Sequence, residues 1–77
     1  MLTLSKLVPG ECGIVKSVNG EFGMKRRILD LGMVPGTEIL CVAKSPLGDP
    51  VAYFVRGTLI ALRCEDSSNI IISKTVT

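Results

Sequence analysis

The side chains able to do chemistry are nine cations, seven carboxylates and three cysteines, with no histidine among 77 residues. Without imidazole there is no ordinary nucleophilic triad, no imidazole base and no histidine metal ligand. The carboxylates are scattered, and no two fall together in an interior strand. Cys12, Cys41 and Cys64 are too widely spaced for a CxxC pair. Each lies in or beside an apolar run, so each reads as a reduced, half-buried thiol in a reducing compartment. A metal site using all three would need them to converge in space. No GxGxxG or P-loop string is present, so those phosphate cradles are absent. Iron(II) sites draw on imidazole and carboxylate, which this chain lacks and disperses respectively. We expect no catalytic residue, no cofactor and no metal site.

Two other groups are candidates for binding. Lys25, Arg26 and Arg27 are consecutive cations near the start of an expected helix, where the macrodipole disfavours positive charge. Asp30 can offset Arg26 or Arg27 at a spacing of three or four. The cluster is either a solvated face or a basic edge that meets an acidic or phosphate-bearing partner, and Arg27 is its favoured member. The second group is SPLGDP, Ser45 to Pro50. Gly48, Asp49 and the flanking prolines supply turn chemistry, but no turn requires Leu47. That leucine either folds back as a lid on the core or projects as an apolar anchor from a stiff loop. Partner-binding residues are thus expected among Arg26, Arg27, Pro46, Leu47, Gly48 and Asp49. Arg56 reads as a solvated turn residue, and Arg63 has Glu65 or Asp66 within reach.

The elements positioning these groups follow from punctuation and period. Leu4 and Leu7 are spaced like one helical turn, ended by Pro9-Gly10. Glu11–Val18 reads as a strand with Ile14 and Val18 at apolar positions, and Asn19-Gly20 as a turn. Met24, Ile28 and Leu31 fall at i, i+4 and i+7 in a helix from Phe22 to Leu31. Gly32 suits its left-handed cap, and Pro35 forbids continuation. Glu38–Ala43 is a second strand. Val51–Val55 and Thr58–Leu62, separated by Arg56-Gly57, form a hairpin. Arg63–Ser68 is a polar turn, Asn69–Ser73 a last strand, and Lys74–Thr77 a tail expected to fray.

A net charge of +2 is too mild to demand nucleic acid or a membrane surface. The aromatic set is Phe22, Tyr53 and Phe54, a poor stacking platform, although small barrels often bind RNA and that alternative stays open. No apolar run approaches a membrane span and no signal peptide is visible. We expect one complete cytoplasmic domain over residues 1–77. Five short strands with one short helix inserted after the first give a mainly β fold, a small closed or nearly closed barrel. Several strands are apolar on both faces, so either the helix or a partner covers part of the outside.

RRILDLGMVPG (Arg26–Gly36), SPLGDP (Ser45–Pro50) and RGTLIALR (Arg56–Arg63), followed by Ile70 and Ile72, resemble the FeoA family of bacterial ferrous-iron uptake in order and spacing. The likeness spans Leu4 to Ile72. One departure is Ser67, where the family usually has alanine. The resemblance implies an SH3-like barrel acting as a non-enzymatic interaction module. Its implied partner is the cytoplasmic part of a FeoB-type ferrous-iron permease, so that the domain is peripheral to the membrane through that partner alone. Weak self-association and no nucleic-acid partner are further expectations. A cysteine-based metal chaperone is the remaining alternative.

Overall fold

The computed structural model describes residues 2–74. The strands are β1 (Cys12–Val18), β2 (Glu38–Lys44), β3 (Val51–Val55), β4 (Thr58–Leu62) and β5 (Ile70–Lys74). They form one antiparallel sheet in the order β4-β3-β2-β1-β5. It curls around a single core into the mainly β, SH3-like barrel anticipated above, with no ladder joining β4 to β5 among the described residues. Thr75–Thr77, most of the tail expected to fray, lie outside the described residues.

Alternation builds the core. In β3, Val51, Tyr53 and Val55 are buried, whereas Ala52 and Phe54 face outward. β2 contributes Ile39 and Cys41 on the same principle. In β1 the inward residues are Val15 and Val18, three apart, which strict alternation forbids. A bulge between Val15 and Ser17 in the ladder to β5 resets the face. Ile14, expected as an apolar position, is consequently only half-buried. A Cβ at Gly13 would lie 2.6 Å from Ile72 Cδ1, so a side chain there would have to push the end of Ile72 aside.

Helix α1 (Phe22–Asp30) follows β1. Ile28 is its fully buried residue, and Met24 and Leu29 pack against the core. Leu31, expected on this face, is the C-cap and is exposed, while Met33 is the buried residue instead. The chain turns at Gly32, so the apolar residue immediately after it, Met33, swings inward. Arg63–Ser68 is also more ordered than a polar turn: Cys64–Ser67 form one helical turn, α2. Its buried Ser67 sits with Oγ 3.4 Å from the Cys64 carbonyl, where alanine would fit without a polar atom.

The N-terminal segment closes one end of the barrel. A 3-10 turn over Leu4–Lys6 buries Leu4, and Leu7 follows it into the core. Ahead of it, Thr3 bridges Ile71 and the Leu2 carbonyl accepts the Ile72 N–H, so this segment covers the outer edge of β5. Lys74 pairs with Glu11 across the start of β1. That ammonium and the Val8 N–H hold the Glu11 carboxyl below its usual range.

Candidate functional site: the loop, the helix and the turn between them

The SPLGDP segment joins β2 to β3. The Gly48 N–H donates to the Ser45 carbonyl at 2.7 Å, and Ser45 Oγ donates to the Pro50 carbonyl at 2.7 Å. Gly48 at its tip has a φ of 86°, which favours glycine. Asp49 secures the loop from the side: its Oδ1 accepts the Cys64 N–H at 2.8 Å, the first residue of α2. Its Oδ2 lies 3.7 Å from Arg63 Nη1, so Arg63 reaches Asp49 instead of the expected Glu65 or Asp66. Leu47, at the tip, is 96% exposed. It is not a lid on the core.

Arg26 and Arg27 stand on α1 with different environments. Arg26 Nε is 3.4 Å from Asp30 Oδ1, one helical turn on, and both side chains are well exposed. Arg27 Nη2 donates to Asp66 Oδ1 at 2.8 Å, and the Asp66 side chain is only 13% exposed. Arg27 therefore pins α1 to α2, which Asp49 pins to the loop. One helical turn joins the two groups of candidate residues into one braced assembly. Within it Arg27 and Asp49 are engaged internally, and Arg26, Pro46, Leu47 and Gly48 are exposed.

Surface features without a sequence motif also emerge. Phe22 is 81% exposed at the start of α1 and lines a shallow depression with Lys25, Arg26 and Leu29. A longer open groove at the other end of β2 has Val34, Pro35, Leu40 and Phe54 in its wall, with Arg56 at its rim. The outward positions of β2 and β3 could have pointed to Leu40 and Phe54, but only the fold places them beside Val34 and Pro35.

The cysteines occupy three environments where three similar ones were expected. Cys12 is half-buried, Cys41 fully buried and Cys64 exposed. Burial pushes the Cys41 thiol up, away from thiolate chemistry. Among the described residues no three Cys, Asp or Glu side chains gather in a way that could hold a metal ion. No helix among them is long and apolar enough to cross a membrane.

The FeoA domain family matches residues 2–74. The chain belongs to the FeoA family. It is 36% identical over 69 residues to an Fe(2+) transport protein A/Fe(2+) transporter FeoB fusion protein of Porphyromonas gingivalis. That match covers 90% of this chain and only 8% of the fusion protein. The FeoA protein of Chlorobium tepidum superposes with a TM-score of 0.90 at 32% identity, over 97% of this chain and 71% of that one. The FeoA of Stenotrophomonas maltophilia, solved with zinc, superposes with a TM-score of 0.84 at 32% identity, over 95% and 91% of the two chains. It is described as a prokaryotic SH3-domain protein and a candidate activating factor for ferrous-iron transport.

Proposed function

We propose that this FeoA-family domain is a non-enzymatic interaction module that supports or regulates a FeoB-type ferrous-iron permease from the cytoplasmic side. Leu47 is its apolar anchor, and Arg26 the cation available beside the braced assembly. The observation that carries the reading is the combination at SPLGDP of a side chain that is almost wholly exposed with a loop held at both shoulders. Such a loop loses little freedom on binding, so more of the contact energy appears as affinity. The joining of the two families in one polypeptide in Porphyromonas gingivalis supports the choice of partner.

Burying one leucine in a partner pocket contributes about 1.5–3 kcal/mol, which is about 10- to 150-fold in affinity. Leu47→Ala should weaken binding to the cytoplasmic part of the permease by that order. Leu47→Asp should abolish it. Both variants should melt at the wild-type temperature, because the side chain touches no core. Binding to that part of the permease measured by calorimetry tests this. Two folded variants that bind like wild type would remove Leu47 from the interface.

A further inference from the structure

A sheet of five strands has two edges, and this protein treats them differently. The outer edge of β5 is covered by its own Leu2–Thr3 segment. Among the described residues nothing pairs with the outer edge of β4. Exposed edges are normally blunted with charge, proline or a bulge. β4 reads TLIAL, without charge or proline, and its ladder to β3 runs without a break in register.

The backbone groups available there follow from the hairpin. Arg56 and Gly57 both have positive φ, 50° and 82°, the signature of a two-residue type I′ turn. The residues flanking such a turn, Val55 and Thr58, form a hydrogen-bonded pair, and so do Tyr53/Ile60 and Val51/Leu62. The intervening residues, Leu59 and Ala61, therefore direct N–H and C=O away from β3. Their side chains lie on the outer face, where Leu59 is 62% exposed. Leu59 stands opposite Phe54, itself 45% exposed, and Phe54 stands opposite Leu40. Helix α1 packs beside β1, and this apolar row is exposed at Leu59 and Phe54 and half-buried at Leu40.

We infer that β4 is a self-association edge, and that its occupant is the β4 of a second copy, antiparallel about a two-fold axis at Ile60. This goes beyond the permease reading and uses a different surface. In that register Leu59 of each copy faces Ala61 of the other, large against small, and both have outward-facing backbone groups. Two such pairs exchange four hydrogen bonds and join two five-stranded sheets into one. The electrostatics permit it. The paired stretch is uncharged and each copy carries a net charge of only +2. Of the flanking cations, Arg63 already faces Asp49 and Arg56 lies against Gly32. Because β5 is capped by its own chain, β4 cannot pair head to tail with β5 of a neighbour. The assembly closes at two copies and does not grow into a filament.

Sedimentation of the whole chain from micromolar to millimolar concentration tests this, together with amide exchange read residue by residue. The expected result is a monomer–dimer equilibrium in which the Leu59 and Ala61 amides become protected as concentration rises. Leu59→Lys should raise the dissociation constant by about tenfold or more, since two cross-strand apolar contacts are lost. Ala61→Pro removes an outward N–H without touching the bonds to β3, and should do the same. A chain that stays monomeric to millimolar concentration would overturn the inference. So would a dimer that forms equally well in both variants, or one in which Leu59 and Ala61 still exchange as fast as at low concentration. If the edge instead takes a strand from the permease, protection will appear only with that partner present, and the self-pairing fails.

Discussion

Asp49 and Leu47 stand two residues apart on one loop and do opposite things. Leu47 makes no use of the domain, whereas Asp49 gives one oxygen to the Cys64 N–H and the other to Arg63. Losing the acceptor for a helix's first free N–H costs about 0.5–2 kcal/mol, while the half-exposed Arg63 pair adds little. Asp49→Ala should therefore lower the urea-unfolding stability by about 1 kcal/mol, and Asp49→Asn, which keeps an acceptor oxygen, by much less. Equal losses in both would mean that the ion pair carries the effect. Tyr53 offers a second test at this scale. Its ring is fully buried, its hydroxyl donates to the Leu4 carbonyl at 3.5 Å, and burial pushes its phenol up to about 12. In the unfolded chain it titrates near its ordinary value of about 10. Between those values the folded state keeps a proton that the unfolded state has lost, so stability falls as pH rises. The slope is about 1.4 kcal/mol per pH unit; below pH ~10 the phenol has no effect. Tyr53 is the only tyrosine and there is no tryptophan, so tyrosinate absorbance reports it alone. A folded-state midpoint near that of the chain in urea would refute the account, and Tyr53→Phe should flatten the alkaline decline.

Among the elements, the two helices show why some of the candidate site's architecture was legible and some was not. Helix α1 declares itself through Met24, Ile28 and the Gly32–Pro35 stop, all local signals. Turn α2 has no apolar period: RCEDSS offers one inward position, Ser67, and two acids in its first turn. It forms because Asp49, fifteen residues earlier, caps it and Arg27 holds Asp66, contacts that no window of sequence contains. The same distance hid the difference between Arg26 and Arg27, which are alike as adjacent cations but unlike in tertiary partners. Arg26→Glu should change stability by at most about 0.5 kcal/mol, because its pair with Asp30 is solvated. Arg27→Glu sets a carboxylate against the largely covered Asp66 and should cost about 1–2 kcal/mol. Chemical denaturation of the two single variants measures the split, and equal effects would show that the α1–α2 tie is dispensable. Reversing both arginines together is consequently a poor probe of partner binding, and Arg26→Glu alone is the cleaner one.

At the scale of the whole molecule, the strands, the hairpin and the mainly β barrel were legible because small barrels are written in short alternating runs separated by turn residues. What alternation could not reveal was the bulge that turns Val15 and Val18 to the same side, or how the barrel ends are sealed. The N-terminal segment is where that matters most. Leu4 and Leu7 come from a 3-10 turn and the residue after it, outside the five-stranded sheet, yet both are fully buried. Tyr53 donates to the Leu4 carbonyl and Cys41 Sγ approaches the Leu7 carbonyl at 3.8 Å, so the segment also supplies the polar partners of two core residues. A chain this short has little apolar surface in reserve. Leu4→Ala leaves a cavity at the sealed end and should cost about 2–5 kcal/mol, against a total of about 5–15 kcal/mol for a domain. For a domain of this size each kilocalorie shifts the melting temperature by about 4–8 °C. Thermal unfolding of Leu4→Ala should therefore fall by about 10 °C or more, with Leu7→Ala close behind. The Leu47→Ala variant, the same substitution at the exposed tip, should not move. If Leu4→Ala melts within a few degrees of wild type, the N-terminal turn is an appendage and the barrel closes without it.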